Sequence, residues 1–115
     1  MSGRVYLPAT LALLADWHAM GQVPADVDRL VAPDEDEDSE YAALMGAADA
    51  SWQLLGRAGR RVVVVADVAD PGANGAVRWR EVVAVHADDA ERGPDADPDD
   101  DLAWYATQEV PDLLG

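Results

Sequence analysis

Cysteine, phenylalanine, isoleucine and lysine are all missing from this chain. Without Cys there is no disulfide framework, no thiolate zinc site and no cysteine nucleophile. Without Phe and Ile the apolar interior must be built from Val, Leu, Ala and the four tryptophans, and Ala alone supplies 22 residues. Arginine is the sole permanent cation, with eight copies against 23 carboxylates, for a net charge of -15. The longest apolar stretches, such as Val62 to Ala66, fall far short of the roughly 20 residues that cross a bilayer, and residues 1–20 hold no long apolar region behind basic flanks. These traits predict a soluble protein of the cytoplasm.

What is present is unevenly distributed. Residues 34–40 hold six carboxylates (Asp34, Glu35, Asp36, Glu37, Asp38, Glu40), and residues 88–101 hold eight more with only Arg92 among them. The other 94 residues are nearly balanced, with nine acidic and seven basic side chains. The sequence therefore predicts one domain over 1–115 that carries two acidic loops, 34–40 and 88–101. Such a charge repels phosphates and anionic lipid alike, which argues against nucleic acid and membrane partners. Arg57, Arg60 and Arg61 are the one close basic cluster.

Local patterns give the elements. Arg4-Val5-Tyr6-Leu7 is β-branched and aromatic and reads as a first strand stopped by Pro8. Thr10 is the expected N-cap of a helix over about 10–21, with Leu11, Leu14, Ala15 and His18 on one face and Gly21 as the left-handed exit. Residues 22–33 read as loop or one short turn around Val27 to Val31. Tyr41, Leu44, Met45, Ala48, Trp52 and Leu55 repeat at helical spacing. That stripe predicts a second helix whose large side chains form the main core block. The carboxylates 36–40 lie at its positive end, and Gly56 and Gly59 close it with Arg57 near the negative end.

Val62 to Val68 is apolar on both faces, as a central strand requires. The turn residues Asp70-Pro71-Gly72-Ala73-Asn74-Gly75 join it to a strand over Trp79 to Ala87, and the short connection makes the pair antiparallel. Leu102 to Ala106 reads as a last strand, and Thr107 as the cap of a short terminal helix with Val110, Leu113 and Leu114. The intervening acidic run has almost nothing apolar with which to offset its ordering entropy, so a mobile loop is expected. The predicted fold is a two-layer α+β domain of order β-α-α-β-β-β-α, with a four-stranded mixed sheet packed by two main helices.

The chemistry-bearing residues are few. His86 and Asp88 share a face of an extended strand, and with Asp89 they are candidate metal ligands or a proton relay. The competing reading, a half-buried strand histidine followed by a solvated loop, carries more weight because no second His and no ligand spacing accompany it. Asp67 reads as a turn cap, His18 as a boundary residue, and Trp17, Trp52, Trp79 and Trp104 as large core fillers, each needing a partner for its indole N–H. A Trp79 exposed between Arg78 and Arg80 would instead mark a contact surface. Phosphate-cradling, nucleophile-elbow and zincin motifs do not occur. Residues 34–38 resemble a calcium loop in composition only, since Ser39 and Met45 stand where Gly and Glu are required.

Four segments carry a resemblance: Arg4-Val5-Tyr6-Leu7-Pro8-Ala9-Thr10-Leu11, Glu40-Tyr41-Ala42-Ala43-Leu44, Val85-His86-Ala87-Asp88-Asp89 and Trp104-Tyr105-Ala106-Thr107-Gln108-Glu109. In the same order over most of the chain, they resemble an uncharacterised family of small acidic actinobacterial proteins. The chain is shorter than those proteins between Asp89 and Leu102, where they carry an Ala-rich helical segment. The resemblance implies a cytoplasmic protein and brings no catalytic residue or cofactor. The expected function is that of a non-enzymatic accessory or protein-interaction protein whose partner is unknown. The alternatives are a small-molecule or metal site near His86, Asp88 and Asp89, and an acidic nucleic-acid mimic whose charges occupy a partner's basic groove.

Overall fold

Strand β1 (Gly3–Ala9) and strand β4 (Val62–Val68) pair antiparallel along their whole length, from Gly3 opposite Val68 to Ala9 opposite Val62. The computed structural model describes residues 3–56, 58–73 and 75–115. The expectations placed on Arg57 and Asn74 lie outside them. Strand β6 (Val82–Ala87) flanks β4 on the other side, also antiparallel, as the short connection predicts. Strand β7 (Ala103–Ala106) adds beyond β6, and a two-residue strand, β3 (Leu30–Val31), adds beyond β1.

The described residues thus form a five-stranded sheet of order β3-β1-β4-β6-β7, in which every pairing is antiparallel. This corrects the expectation of four strands in a mixed sheet. The fifth strand comes from the weakly patterned 22–33 segment, where two residues of pairing leave no alternation to detect. The same segment contributes β2 (Gln22–Val23), which pairs with β5 (Val77–Arg78) in a separate two-stranded ribbon. Trp79–Glu81 is a 3₁₀ turn, so the strand expected to begin at Trp79 begins at Val82.

Helix α1 (Leu11–Met20) has the predicted boundaries. The Leu13 N–H donates to Thr10 Oγ1 at 3.2 Å, and Gly21 adopts φ +77° while its N–H closes on the Trp17 carbonyl at 2.9 Å. Helix α2 (Glu37–Leu55) opens inside the first acidic run, so Glu37, Asp38 and Glu40 occupy its first turn, where the helix dipole favours them. The last element, α3 (Val110–Leu114), follows a 3₁₀ turn, Thr107–Glu109. Thr107 does not cap it; its hydroxyl donates to the Val82 carbonyl at 3.1 Å.

Both faces of the sheet are covered, so the domain has three layers rather than two. On one face Val5, Leu7, Ala9, Val62, Val64, Val85 and Ala87 meet Leu14 and Trp17 of α1 together with Val23, Val77 and Val110. On the other, Tyr6, Val63, Val65 and Ala84 meet Ala43, Ala47 and Ala48 of α2. Strand β4 contributes valines to both cores, which explains why it is apolar in every register.

The expected core block of α2 is corrected by this packing. Ala43, Ala47, Ala48 and Ser51 are the buried residues of the helix, whereas Leu44, Met45, Trp52 and Leu55 are half-buried and Tyr41 is exposed. Small side chains let the helix lie close on the sheet. Ser51 then serves both partners, donating to the Ala9 carbonyl at 2.6 Å and accepting from the Val62 N–H at 2.9 Å. Of the tryptophans, Trp17 alone is fully buried; Trp52 and Trp79 are half-buried and Trp104 is exposed, so the prediction that all four fill the core fails. Trp79 stacks edge-on against His18, ring centroids 5.0 Å apart.

Candidate functional site

The antiparallel register that sets Val62 opposite Ala87 carries Arg61 and Asp88 into apposition just beyond it. Both are buried. The Asp88 carboxylate accepts from Arg61 Nε (2.9 Å), Nη2 (2.7 Å) and backbone N (2.8 Å), and from Arg92 Nη1 at 3.3 Å. Arg61 also donates to the carbonyls of Pro98 (3.1 Å) and Asp100 (2.9 Å), and Arg92 donates to the carbonyl of Asp97. Gly59 and Arg92 exchange backbone hydrogen bonds at 3.0 and 2.9 Å, which Gly59 reaches in a positive-φ conformation (φ +133°).

Three consequences follow for the predicted residues. The 88–101 segment, expected as a mobile loop, is tied to the domain by Arg61 and by the Gly59–Arg92 backbone pair, while the Arg92 side chain bonds within the segment itself. Asp88 does not begin a solvated loop; both of its oxygens are engaged by arginine. Asp89, one residue on, is exposed. His86 is half-buried in β6 between Val63 and Trp104 of the neighbouring strands, and burial lowers its pKa below the ordinary histidine value. Among the described residues, no group of three or more His, Asp or Glu side chains is arranged to hold a metal ion. Asp67 is also reassigned: it sits opposite Arg4 across β1 and β4 and accepts from Arg4 Nε at 3.0 Å instead of capping a turn.

His86 opens instead onto a cleft of about 190 Å3 beside α2. Its origin is geometric. Helix α2 packs principally over β1, β3 and β4 and meets β6 at Ala84, so among the described residues the rest of the β6–β7 half of that sheet face lies beside the helix rather than under it. The register of β4 on β6 shifts between Val65 and Ala66, so Val83 is passed over as a bulged residue and its side chain lines the cleft. The short side chain of Ala84 leaves the floor hollow, Tyr6 and Val65 continue it, and Glu40, Tyr41 and Leu44 of α2 form one wall. Trp104, in register with His86, forms the other side.

Tyr41 is 50%, Val83 39% and Trp104 60% exposed, and all three face the same cleft. Two carboxylates stand beside them. Glu40 lines the wall, and Asp101 accepts a 2.7 Å hydrogen bond from the Tyr41 hydroxyl, which raises the Tyr41 pKa. Burial, followed by the charge of Glu40, raises the pKa of Tyr6. Among the described residues one fixed cation, Arg4, borders the cleft, and its charge is offset by Asp67. The arrangement offers aromatic faces, hydrogen-bond acceptors and a negative field, a combination suited to a positively charged, partly apolar partner.

Sequence reasoning missed both features. The Arg61–Asp88 pair was recoverable, because an antiparallel reading of two all-apolar strands places the residues flanking them opposite each other. The cleft was not, since helical spacing alone assigned Tyr41 and composition alone assigned Trp104 to the core. Among the described residues no helix is long and apolar enough to cross a membrane. No curated protein and no solved structure matches this chain. A family model does: residues 3–114 match the Family of unknown function (DUF6912), and the chain belongs to that family.

Proposed function

We propose that this protein is a non-catalytic binding domain of the cytoplasm, whose working surface is the β6–β7 half of the sheet beside α2 and whose partner is a basic segment of another protein. The observation that supports this most is the gathering of Tyr41, Val83 and Trp104, each more than a third exposed, in one cleft walled by Glu40. Large apolar side chains cost solvation when left in water, and aromatic residues grouped in a concavity with a polar rim are the usual anchors of interfaces. The net charge of -15 steers cations toward that surface and anions away from it.

The test is a fluorescence titration of the full chain with arginine- and lysine-rich peptides beside acidic peptides of equal length. Basic peptides are expected to give a saturable change in tryptophan emission that weakens with salt and is lost in Trp104→Ala. Binding of both peptide classes alike, or undiminished binding by Trp104→Ala, would remove this reading.

A further inference from the structure

We propose that the anchor the cleft recognises is a guanidinium, the head of one arginine side chain presented by the partner protein. This rests on the binding-face reading above and narrows it from a basic segment to one chemical group. Size is the first argument. About 190 Å3 is small beside the roughly 300 to 1,000 Å3 of cavities that enclose cofactors and drug-sized ligands, and it suits a single side-chain head.

Ring chemistry is the second. The exposed rings of Tyr41 and Trp104, with buried Tyr6 beneath them, line one space, and a cation against aromatic faces is attracted by the ring quadrupole, more so as water is excluded.

Charge is the third argument. Glu40 supplies an acceptor on the wall, Asp101 stands behind the Tyr41 hydroxyl, and Arg4, the bordering cation among the described residues, is engaged by Asp67 at 3.0 Å. His86 does not oppose an incoming cation, because burial holds its imidazole toward the neutral form. Guanidinium is preferred to ammonium on physical grounds. It is planar, sheds water more readily, stacks on rings and can offer two parallel N–H groups to one carboxylate. A lysine ammonium is compact and strongly hydrated, and gains less from the same walls.

The experiment uses a short host peptide of otherwise neutral residues with one central arginine, and the same peptide with lysine or citrulline there. Each is titrated calorimetrically into the full chain. Citrulline keeps the shape and removes the charge, so the arginine peptide should bind about tenfold or more tightly than the citrulline one, with lysine between them. Glu40→Gln should shrink that ratio toward unity, while Trp104→Ala, at an exposed position, should weaken all three peptides. Thermal melts of both variants confirm that they fold. Equal binding of arginine and citrulline peptides, or of arginine and lysine peptides, overturns the guanidinium anchor and leaves the binding face standing. Failure of all three, together with failure of the polybasic peptides, removes both.

Discussion

Asp88 shows how much one carboxylate can hold. Its two oxygens accept four hydrogen bonds from two arginines, three of them from buried Arg61, which in turn carries the backbone of residues 98 and 100. Removing one partner of a buried pair strands the other charge, so Asp88→Ala should lower the unfolding free energy by about 3 to 5 kcal/mol. Replacing both, Arg61→Met with Asp88→Leu, should cost clearly less than Asp88→Ala alone, because the fully buried Arg61 charge goes with its partner and Arg92 keeps its contact with Asp100. Urea denaturation of the three proteins decides it, and a loss below about 1 kcal/mol in Asp88→Ala would contradict the buried-pair account. His86 makes a separate prediction. Burial lowers its pKa in the folded state, so as pH falls below the ordinary value near 6.5 the unfolded chain takes up a proton that the folded chain resists. Stability should therefore decline from about pH 6.5 downward toward the lowered folded value, and His86→Gln should flatten that part of the profile. An unchanged slope would show that burial does not bias this imidazole. Residue types were legible at both positions, but not their neighbours. Asp88 looked solvated because its own sequence neighbourhood is acidic, whereas its environment is set by Arg61, 27 residues away.

At the scale of elements, α2 carries the main lesson. Its boundaries and its acidic start could be read from spacing and charge, as could α1 with its Thr10 and Gly21 ends. Of the buried face only Ala48 could be read, because apolar periodicity weights large side chains over small ones. The face that contacts the sheet is Ala43, Ala47, Ala48 and Ser51, chosen for closeness rather than bulk. Overfilling it should hurt: Ala47→Leu is expected to cost about 1 to 3 kcal/mol by forcing the helix off the sheet, whereas Tyr41→Ala, at an exposed position, should cost clearly less. Equal losses in the two variants, measured by chemical denaturation, would mean that the large stripe packs the core after all. Strands β4 and β6 were legible because their apolar runs admit little else. The short strands β2, β3 and β5 were not, since each spans two residues and is fixed by its partner rather than by its own pattern.

The whole molecule is an apolar three-layer body wearing a strongly negative coat, and its charge acts in two ways. Self-repulsion among the carboxylates of 34–40 and 88–101 opposes the folded state, with Arg61 and Arg92 as the local counterweight in the second run. Raising NaCl from about 0.05 M to about 0.5 M shortens the Debye length from roughly 14 Å to roughly 4 Å and should raise the melting temperature. A fall would indicate that the arginine contacts outweigh the repulsion. The same field defines what can approach the open half of the sheet. Composition indicates the sign of the field, whereas the proposed face could not be read from it, because the cleft joins residues of β1, α2, β4, β6 and β7 from separate parts of the chain. The most direct test of that claim is a chemical-shift map of the full, isotopically labelled chain as an arginine-bearing peptide is added. The account predicts that the Trp104 indole and the backbone of Glu40, Tyr41, Val83, Ala84 and His86 shift together and saturate. Shifts confined to the α1 face or scattered over the acidic segments, with Trp104 unmoved, would contradict it.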